Sequence, residues 1–217
     1  MSDSQDSKLP KPYYERDGIT IYCGDCRDIL PLLGPVDLVL TDPPSGISYR
    51  HGSRKGGLLL GFDEATITGD DMPFDPSLLV DHQRVVMWGA NHYADRLSAS
   101  KGWLVWDKRV GIPPNDQSDC EMAWTNFLTR AHLFSRYWNG GGINEERWHP
   151  SQKPIALMRW CIELAGDGIE TILDPFMGSG TTLRAAKDLG RRAVGIEIEE
   201  KYVEIAIKRL AQEVMPL

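Results

Sequence analysis

Asp174-Pro175-Phe176-Met177-Gly178-Ser179-Gly180-Thr181-Thr182, late in the chain, and Thr41-Asp42-Pro43-Pro44, far ahead of it, each follow a run that reads as a buried strand. Glu170-Thr171-Ile172-Leu173 leads into the late stretch and Val36-Asp37-Leu38-Val39-Leu40 into the early one. Open α/β sheets bind ligands outside the carboxyl ends of their strands, so both stretches are expected to face one cleft, with Asp42 and Gly178 at adjacent strand ends. The late stretch is a glycine loop running into a helical pattern over 181–189. That arrangement suits a loop wrapped around a small charged ligand at a helix N-terminus. The early stretch presents a carboxylate held by two prolines.

Outward from these motifs the chain alternates. Strands are predicted at 19–22, 36–41, 84–88, 103–106, 131–135, 171–173 and 193–196, and helices at 27–33, 76–82, 93–98, 154–164, 181–189 and 201–214. Such alternation implies an α/β fold with a mostly parallel sheet covered on both faces. Pro113-Pro114-Asn115-Asp116 and Asn139-Gly140-Gly141-Gly142 punctuate a less regular middle. Residues 1–12 are polar and read as a disordered tail, leaving 13–217 as a single domain. We find no internal repeat.

At 217 residues and 41% hydrophobic content, the chain is long enough to bury one good core. No apolar run approaches the roughly 20 residues that span a membrane, and the N-terminus has no signal-peptide core. The 4 cysteines are scattered in a chain without secretory features, which favours reduced thiols and a cytoplasmic setting. Cys23 and Cys26 have the spacing of half a zinc site, but no second pair stands at suitable spacing, so no metal is expected. A formal charge of -7 and a pI near 5.2 argue against broad nonspecific affinity for nucleic acid. One stretch runs the other way: Tyr49-Arg50-His51-Gly52-Ser53-Arg54-Lys55-Gly56-Gly57 is basic, glycine-rich and directly follows the Asp-Pro-Pro motif.

Taken together, the two motifs resemble those of the amino-group DNA methyltransferases. Asp42-Pro43-Pro44-Ser45 matches that family's Asp-Pro-Pro-Tyr motif in three of four positions, and Asp174 to Thr182 resembles its S-adenosylmethionine loop. The order, with the Asp-Pro-Pro motif first, is that of the circularly permuted β group. Gly24-Asp25-Cys26, Trp88-Gly89-Ala90-Asn91, His149-Pro150-Ser151-Gln152-Lys153-Pro154 and Gly195-Ile196-Glu197 look like family blocks in family order, so the resemblance covers roughly 19–210. It implies a Rossmann-like, mostly parallel, seven-stranded-type sheet, with space for only a minimal target-recognition insert before the His-Pro-Ser-Gln-Lys-Pro block. It further implies S-adenosylmethionine as cofactor and double-stranded DNA as partner, with a homodimer as a possible assembly and no membrane association.

The spacing of Glu197, about 20 residues beyond Gly178, is that at which an acidic residue meets a ribose in Rossmann-like sheets. By resemblance, Asp25 and Cys26 line the adenine end, and Asp174, Phe176, Gly178, Ser179, Gly180 and Thr181 surround the methionine portion, with Lys153 placed to pair with its carboxylate. A lone Gly-x-Gly also marks nicotinamide enzymes, but Asp-Pro-Phe before it and Thr-Thr after it argue against that reading. An exocyclic amino group is a poor nucleophile because its lone pair is delocalised into the base. Asp42 through its carboxylate and Pro43 through its carbonyl are expected to accept the two N–H hydrogens and aim that lone pair. The base must leave the duplex stack to reach such a pocket. Tyr49, Arg50, Arg54 and Lys55 are the expected DNA contacts.

Ser45 departs from the family, which places Tyr or Phe there to stack on the flipped base. Loss of a stack worth roughly 1 to 3 kcal/mol would weaken turnover unless another ring substitutes. Tyr49 is the first candidate, with Trp88, His51 and Trp148 behind it. Asp42 at the head of the motif points to adenine N6, since the N4-cytosine enzymes usually begin with Ser. A cytosine N4 enzyme and a silent cofactor-binding relative are the alternatives.

Overall fold

The computed structural model describes residues 8–46, 68–113, 118–138, 148 and 152–212. Among the described residues, nine strands form one sheet in the order β1-β2-β9-β8-β3-β4-β6-β5-β7. These are β1 (Tyr14–Arg16), β2 (Ile19–Cys23), β3 (Leu38–Thr41), β4 (Val85–Trp88), β5 (Gly102–Asp107), β6 (Cys120–Thr125), β7 (His132–Ser135), β8 (Thr171–Asp174) and β9 (Arg192–Glu197). The five strands β2, β9, β8, β3 and β4 run parallel; β6 is antiparallel to both β4 and β5, and β1 pairs antiparallel with β2. The permutation is visible in this order, because β8 and β9 come last in the chain yet lie between β2 and β3.

The central strands β3 and β4 are buried at every position because both faces are covered. Leu38 and Leu40 join Ile172, Val86 and Trp88 in one core layer, under α2 (Ile155–Ala165), α3 (Thr181–Asp188) and α4 (Glu200–Ala211). Val39 turns the other way, with Leu173, Val85 and Met87, toward Leu79, Tyr93 and Ile29. This second layer is covered by α1 (Cys26–Ile29) and short 3-10 turns. Pro31 removes the amide that would continue α1, so a 3-10 turn takes over at Leu30–Leu32.

Two of the helices expected from periodicity contract to single turns. The pattern at 76–82 yields only Pro76–Leu78, capped by Asp75, whose carboxylate accepts from the Ser77 amide at 3.0 Å. The pattern at 93–98 yields Ala94–Arg96. Tyr93 leaves helical geometry (φ -135°, ψ 30°) so that its ring can enter the core, where its hydroxyl donates to the Trp88 carbonyl at 2.8 Å. Two strands were not anticipated. β1 is an exposed edge joined to β2 through Asp17 and Gly18, both left-handed (φ 53° and 78°), and β6 has Glu121 in its interior.

Candidate active site

β3 and β8 are neighbours, paired in parallel through Leu38 with Ile172 and Val39 with Leu173. Asp42 and Gly178 therefore stand at adjacent strand ends, as the two motifs predict. The junction is sealed by the Thr41 hydroxyl, which donates to the buried Asp174 carboxylate at 2.7 Å. A cavity of about 1390 Å³ opens here, at the carboxyl ends of the parallel strands. Its walls include Asp25, Cys26, Asp42, Pro43, Pro44, Ser45, Lys153, Asp174, Phe176, Gly178, Ser179, Thr181 and Glu197. Gly180 stands behind the loop instead: at φ +77° it faces α4, where a Cβ would lie 2.8 Å from the Ala206 Cβ.

On the glycine-loop side, the Glu197 carboxylate is aimed by two amides. Its Oε2 accepts from Gly178 at 3.0 Å and its Oε1 from Glu199 at 2.8 Å. Each oxygen keeps a second lone pair for a ligand hydroxyl. Burial pushes this carboxyl above its ordinary range against the pull of those amides. The loop is braced from behind by Arg209 of α4, which donates to the Ser179 carbonyl at 2.6 Å, the Ser179 hydroxyl at 2.8 Å and the Thr181 hydroxyl at 3.3 Å. Phe176 packs edge-on against Phe74, with ring centroids 5.5 Å apart. Asp25 caps α1 and also pairs with Arg27, whose side chain holds the carboxyl below its usual range. Burial raises the neighbouring Cys26 thiol to about 11, so it lines the wall as a neutral group.

Asp174 itself is a buried acid. Its Oδ1 accepts from Thr41 and from the Phe176 amide at 3.1 Å, yet burial outweighs these bonds and pushes its carboxyl up to about 6.

On the Asp-Pro-Pro side, Asp42 Oδ2 accepts from Lys153 Nζ at 2.5 Å, and the same ammonium reaches Glu121 Oε2 at 3.1 Å. Glu121 Oε1 in turn accepts from Lys108 at 2.9 Å. Lys153 is thus enclosed by two carboxylates. Burial alone would push its ammonium down, but Asp42 and Glu121 outweigh it and hold the group above its ordinary value. Burial likewise works against Glu121, and Lys153 and Lys108 together bring it down to about 2.

Lys153, expected beside the methionine carboxylate, lies on the Asp42 side of the cleft, with two acids at 2.5 and 3.1 Å from its ammonium. Its neighbour Gln152 touches the glycine loop, its Oε1 accepting from the Ser179 hydroxyl at 3.3 Å. Of the rings expected to substitute at Ser45, Trp88 is fully buried in the core and lines no part of the cleft. Trp148 is 36% exposed and is also absent from its walls. Tyr49, Arg50, His51, Arg54 and Lys55 lie outside the described residues. Ser45 lines the cleft beside Gly89, where a Cβ would stand 3.1 Å from the Ser45 hydroxyl. Sequence reasoning missed Glu121, Arg209 and Tyr137, which is 50% exposed and lines the same cleft. A lone acid inside an apolar strand was the one available signal for Glu121.

Comparison with known proteins agrees with this geometry. The pattern defining the DNA methylase family matches residues 92–208. The chain is 41% identical to the Type II methyltransferase M2.LlaDCHI of Lactococcus lactis subsp. cremoris, over 93% of each protein. It is 27% identical to the Type II methyltransferase M.ScaI of Streptomyces caespitosus, over 96% of this chain and 86% of that one. The crystal structure of the M1.HpyAVI-SAM complex superposes with a TM-score of 0.60 at 25% identity, over 89% of this chain and 100% of that chain. The cytosine-N4-specific PvuII DNA methyltransferase shares the fold at 13% identity, with a TM-score of 0.61 over 97% of this chain and 90% of that one. On its fold, its paired strand-end motifs and these similarities, the chain belongs to the DNA methylase family, as an amino-group DNA methyltransferase.

Proposed function

We propose that the chain methylates adenine N6 in double-stranded DNA, using S-adenosylmethionine, with Asp42 and the backbone carbonyl of Pro43 as the two acceptors for the amino group. The observation that carries this reading is the seating of Asp42 and the glycine loop at adjacent strand ends around one cavity, joined by the Thr41–Asp174 hydrogen bond. When bound, S-adenosylmethionine supplies a methyl group on a positively charged sulfonium, an excellent leaving group. The protein's task is then alignment rather than strong base catalysis. Glu197, pre-aimed by two amides, is suited to ribose hydroxyls, while Asp25 and Cys26 border the adenine end. Asp174, Phe176, Gly178, Ser179 and Thr181 build the wall for the methionine portion, with Gly180 seating the loop on α4 from behind. Asp42 and Pro43 hold the amino nitrogen so that its lone pair faces that wall.

The choice of adenine rests on Asp42 heading the motif, and the assignment of residues 13–217 to a single methyltransferase domain rests on the one continuous sheet. Tyr49, Arg50, Arg54 and Lys55 are assigned to the DNA phosphates on their charge and position after the motif. Incubation with radiolabelled S-adenosylmethionine and unmethylated DNA of mixed sequence, followed by digestion to nucleosides, tests the proposal. N6-methyladenosine in deoxy form is expected, and it disappears in Asp42→Ala; N4-methylcytosine in its place overturns the choice of base. Ser45 favours one second reading, a silent cofactor-binding partner, which predicts cofactor binding with no label in DNA.

A further inference from the structure

Asp42 does not stand alone in the cleft. Lys153, in the extended segment just before α2, donates to its Oδ2 at 2.5 Å, and Glu121, from the antiparallel strand β6, holds the other side of that ammonium at 3.1 Å. Lys108, just past β5, closes the row at 2.9 Å from Glu121. The row alternates in sign and contains two acids and two bases, so it is neutral as a unit. Lys153 is 8% exposed and Asp42 17%. Removing one partner of such a buried pair leaves an uncompensated charge, and a carboxylate in that position responds by taking up a proton.

We infer that Lys153, braced by Glu121, is the positioning residue of the methyl-transfer site: it occupies Oδ2 of Asp42, leaves Oδ1 to accept from the amino group of the base, and keeps that carboxylate ionised. This rests on Asp42 being the amino-group acceptor. Among the described residues, the hydrogen bonds of Asp42's carboxylate fall on Oδ2 alone. A protonated Asp42 would lose its charge, leaving only a neutral and weaker carbonyl acceptor for the N–H. The other groups facing Asp42 make the ammonium necessary. Burial pushes Asp42 upward, and Glu121 on β6 adds to that push through its charge; Asp174 from β8 is a further acid across the strand junction, and Tyr93 approaches from the segment after β4. Glu121 then prevents Lys153 from swinging away, because its ammonium is shared between two fixed acceptors.

The test is the pH dependence of the single-turnover methyl-transfer rate on unmethylated DNA of mixed sequence, with the full chain saturated in S-adenosylmethionine. In Lys153→Met the rate at pH 7 is expected to fall 100-fold or more. Its acidic limb should move to higher pH by one to two pH units, so that part of the loss is recovered near pH 9, while cofactor affinity measured by calorimetry changes less than threefold. Lys153→Gln keeps a polar side chain near Oδ2 without the charge and should move the same limb in the same direction with about a 10-fold loss at pH 7. If Lys153→Met does not fold, Lys153→Gln alone carries the test. A limb that stays in place in the folded variants, whatever the rate, overturns the inference. Asp42→Ala separates this outcome from failure of the underlying reading: activity surviving in Asp42→Ala refutes Asp42 as acceptor, whereas activity lost there with an unmoved limb in the Lys153 variants refutes only the positioning role.

Discussion

Replacing Asp174 by Asn should make the cofactor-free protein more stable at alkaline pH. Asp174 is only 3% exposed, and burial raises its carboxyl from an ordinary 3.8 to about 6. An acid that is harder to ionise in the fold than in the unfolded chain contributes stability while protonated. That contribution is complete below about pH 4 and is lost as pH rises through about 6. The difference between 3.8 and about 6 corresponds to about 3 kcal/mol at pH 8. Asn avoids this cost without losing the contacts, since its Oδ1 still accepts from Thr41 and the Phe176 amide and its amide group can donate to the Thr182 hydroxyl. Urea unfolding of Asp174→Asn and the parent at pH 4, 6 and 8 should show a gain of about 2 to 3 kcal/mol at pH 8 that shrinks to nothing near pH 4. A difference independent of pH, or a loss at pH 8, would refute the reasoning. A costly acid retained beside the glycine loop is the trade expected where a positively charged ligand binds. The stabilised variant should accordingly bind S-adenosylmethionine less well.

Three further outcomes are expected. Glu197→Ala should weaken S-adenosylmethionine by about 1 to 3 kcal/mol, the cost of removing a charged hydrogen-bond partner, and unchanged affinity in calorimetry would remove Glu197 from the site. Ser45→Tyr should raise methyl transfer by about 10-fold or more if no ring now stacks on the base, given stacking energies of roughly 1 to 3 kcal/mol; if Ser45→Tyr changes nothing and Tyr137→Ala lowers the rate by a similar factor, Tyr137 supplies that ring. Gly180→Ala must accept φ +77° and a Cβ 2.8 Å from Ala206, so thermal unfolding should reveal a loss of about 1 to 3 kcal/mol, together with weaker cofactor binding; a variant as stable as the parent would show that α4 can yield.

The parallel core was legible because its strands are covered on both faces: Leu38-Val39-Leu40 and Ile172-Leu173 are apolar runs leading directly into the two motifs. What hid from the sequence was decided by partners remote in the chain. β1 is short and exposed, and its one clear signal, the Asp17-Gly18 pair of a tight hairpin turn, went unused. β6 carries Glu121 where an apolar residue is expected, and the reason emerges only when Lys108 and Lys153 close on it. The helical pattern after residue 92 failed because Tyr93 gains more from burying its ring and bonding Trp88 than from continuing a turn. Lys153 contacts Asp42 and Glu121, a pairing the sequence does not specify, since charge alone marks a partner for some carboxylate without saying which.

The placement of Gln152 and Lys153 gives the His-Pro-Ser-Gln-Lys-Pro block a mechanical meaning. Pro154 caps α2 and disfavours helical geometry at the residue before it. Gln152 reaches the Ser179 hydroxyl in the glycine loop while Lys153 reaches Asp42, and two consecutive residues tie the donor side of the cleft to the acceptor side. The charges divide the same way. Asp42, Lys153, Glu121 and Lys108 cancel one another, so the acceptor side is neutral apart from the single carboxylate oxygen it offers, whereas Asp174 and Glu197 leave the donor side acidic. A cationic methyl donor and a neutral base are therefore each met by a surface of suitable charge, and the attraction for a polyanionic duplex has to come from outside this cleft.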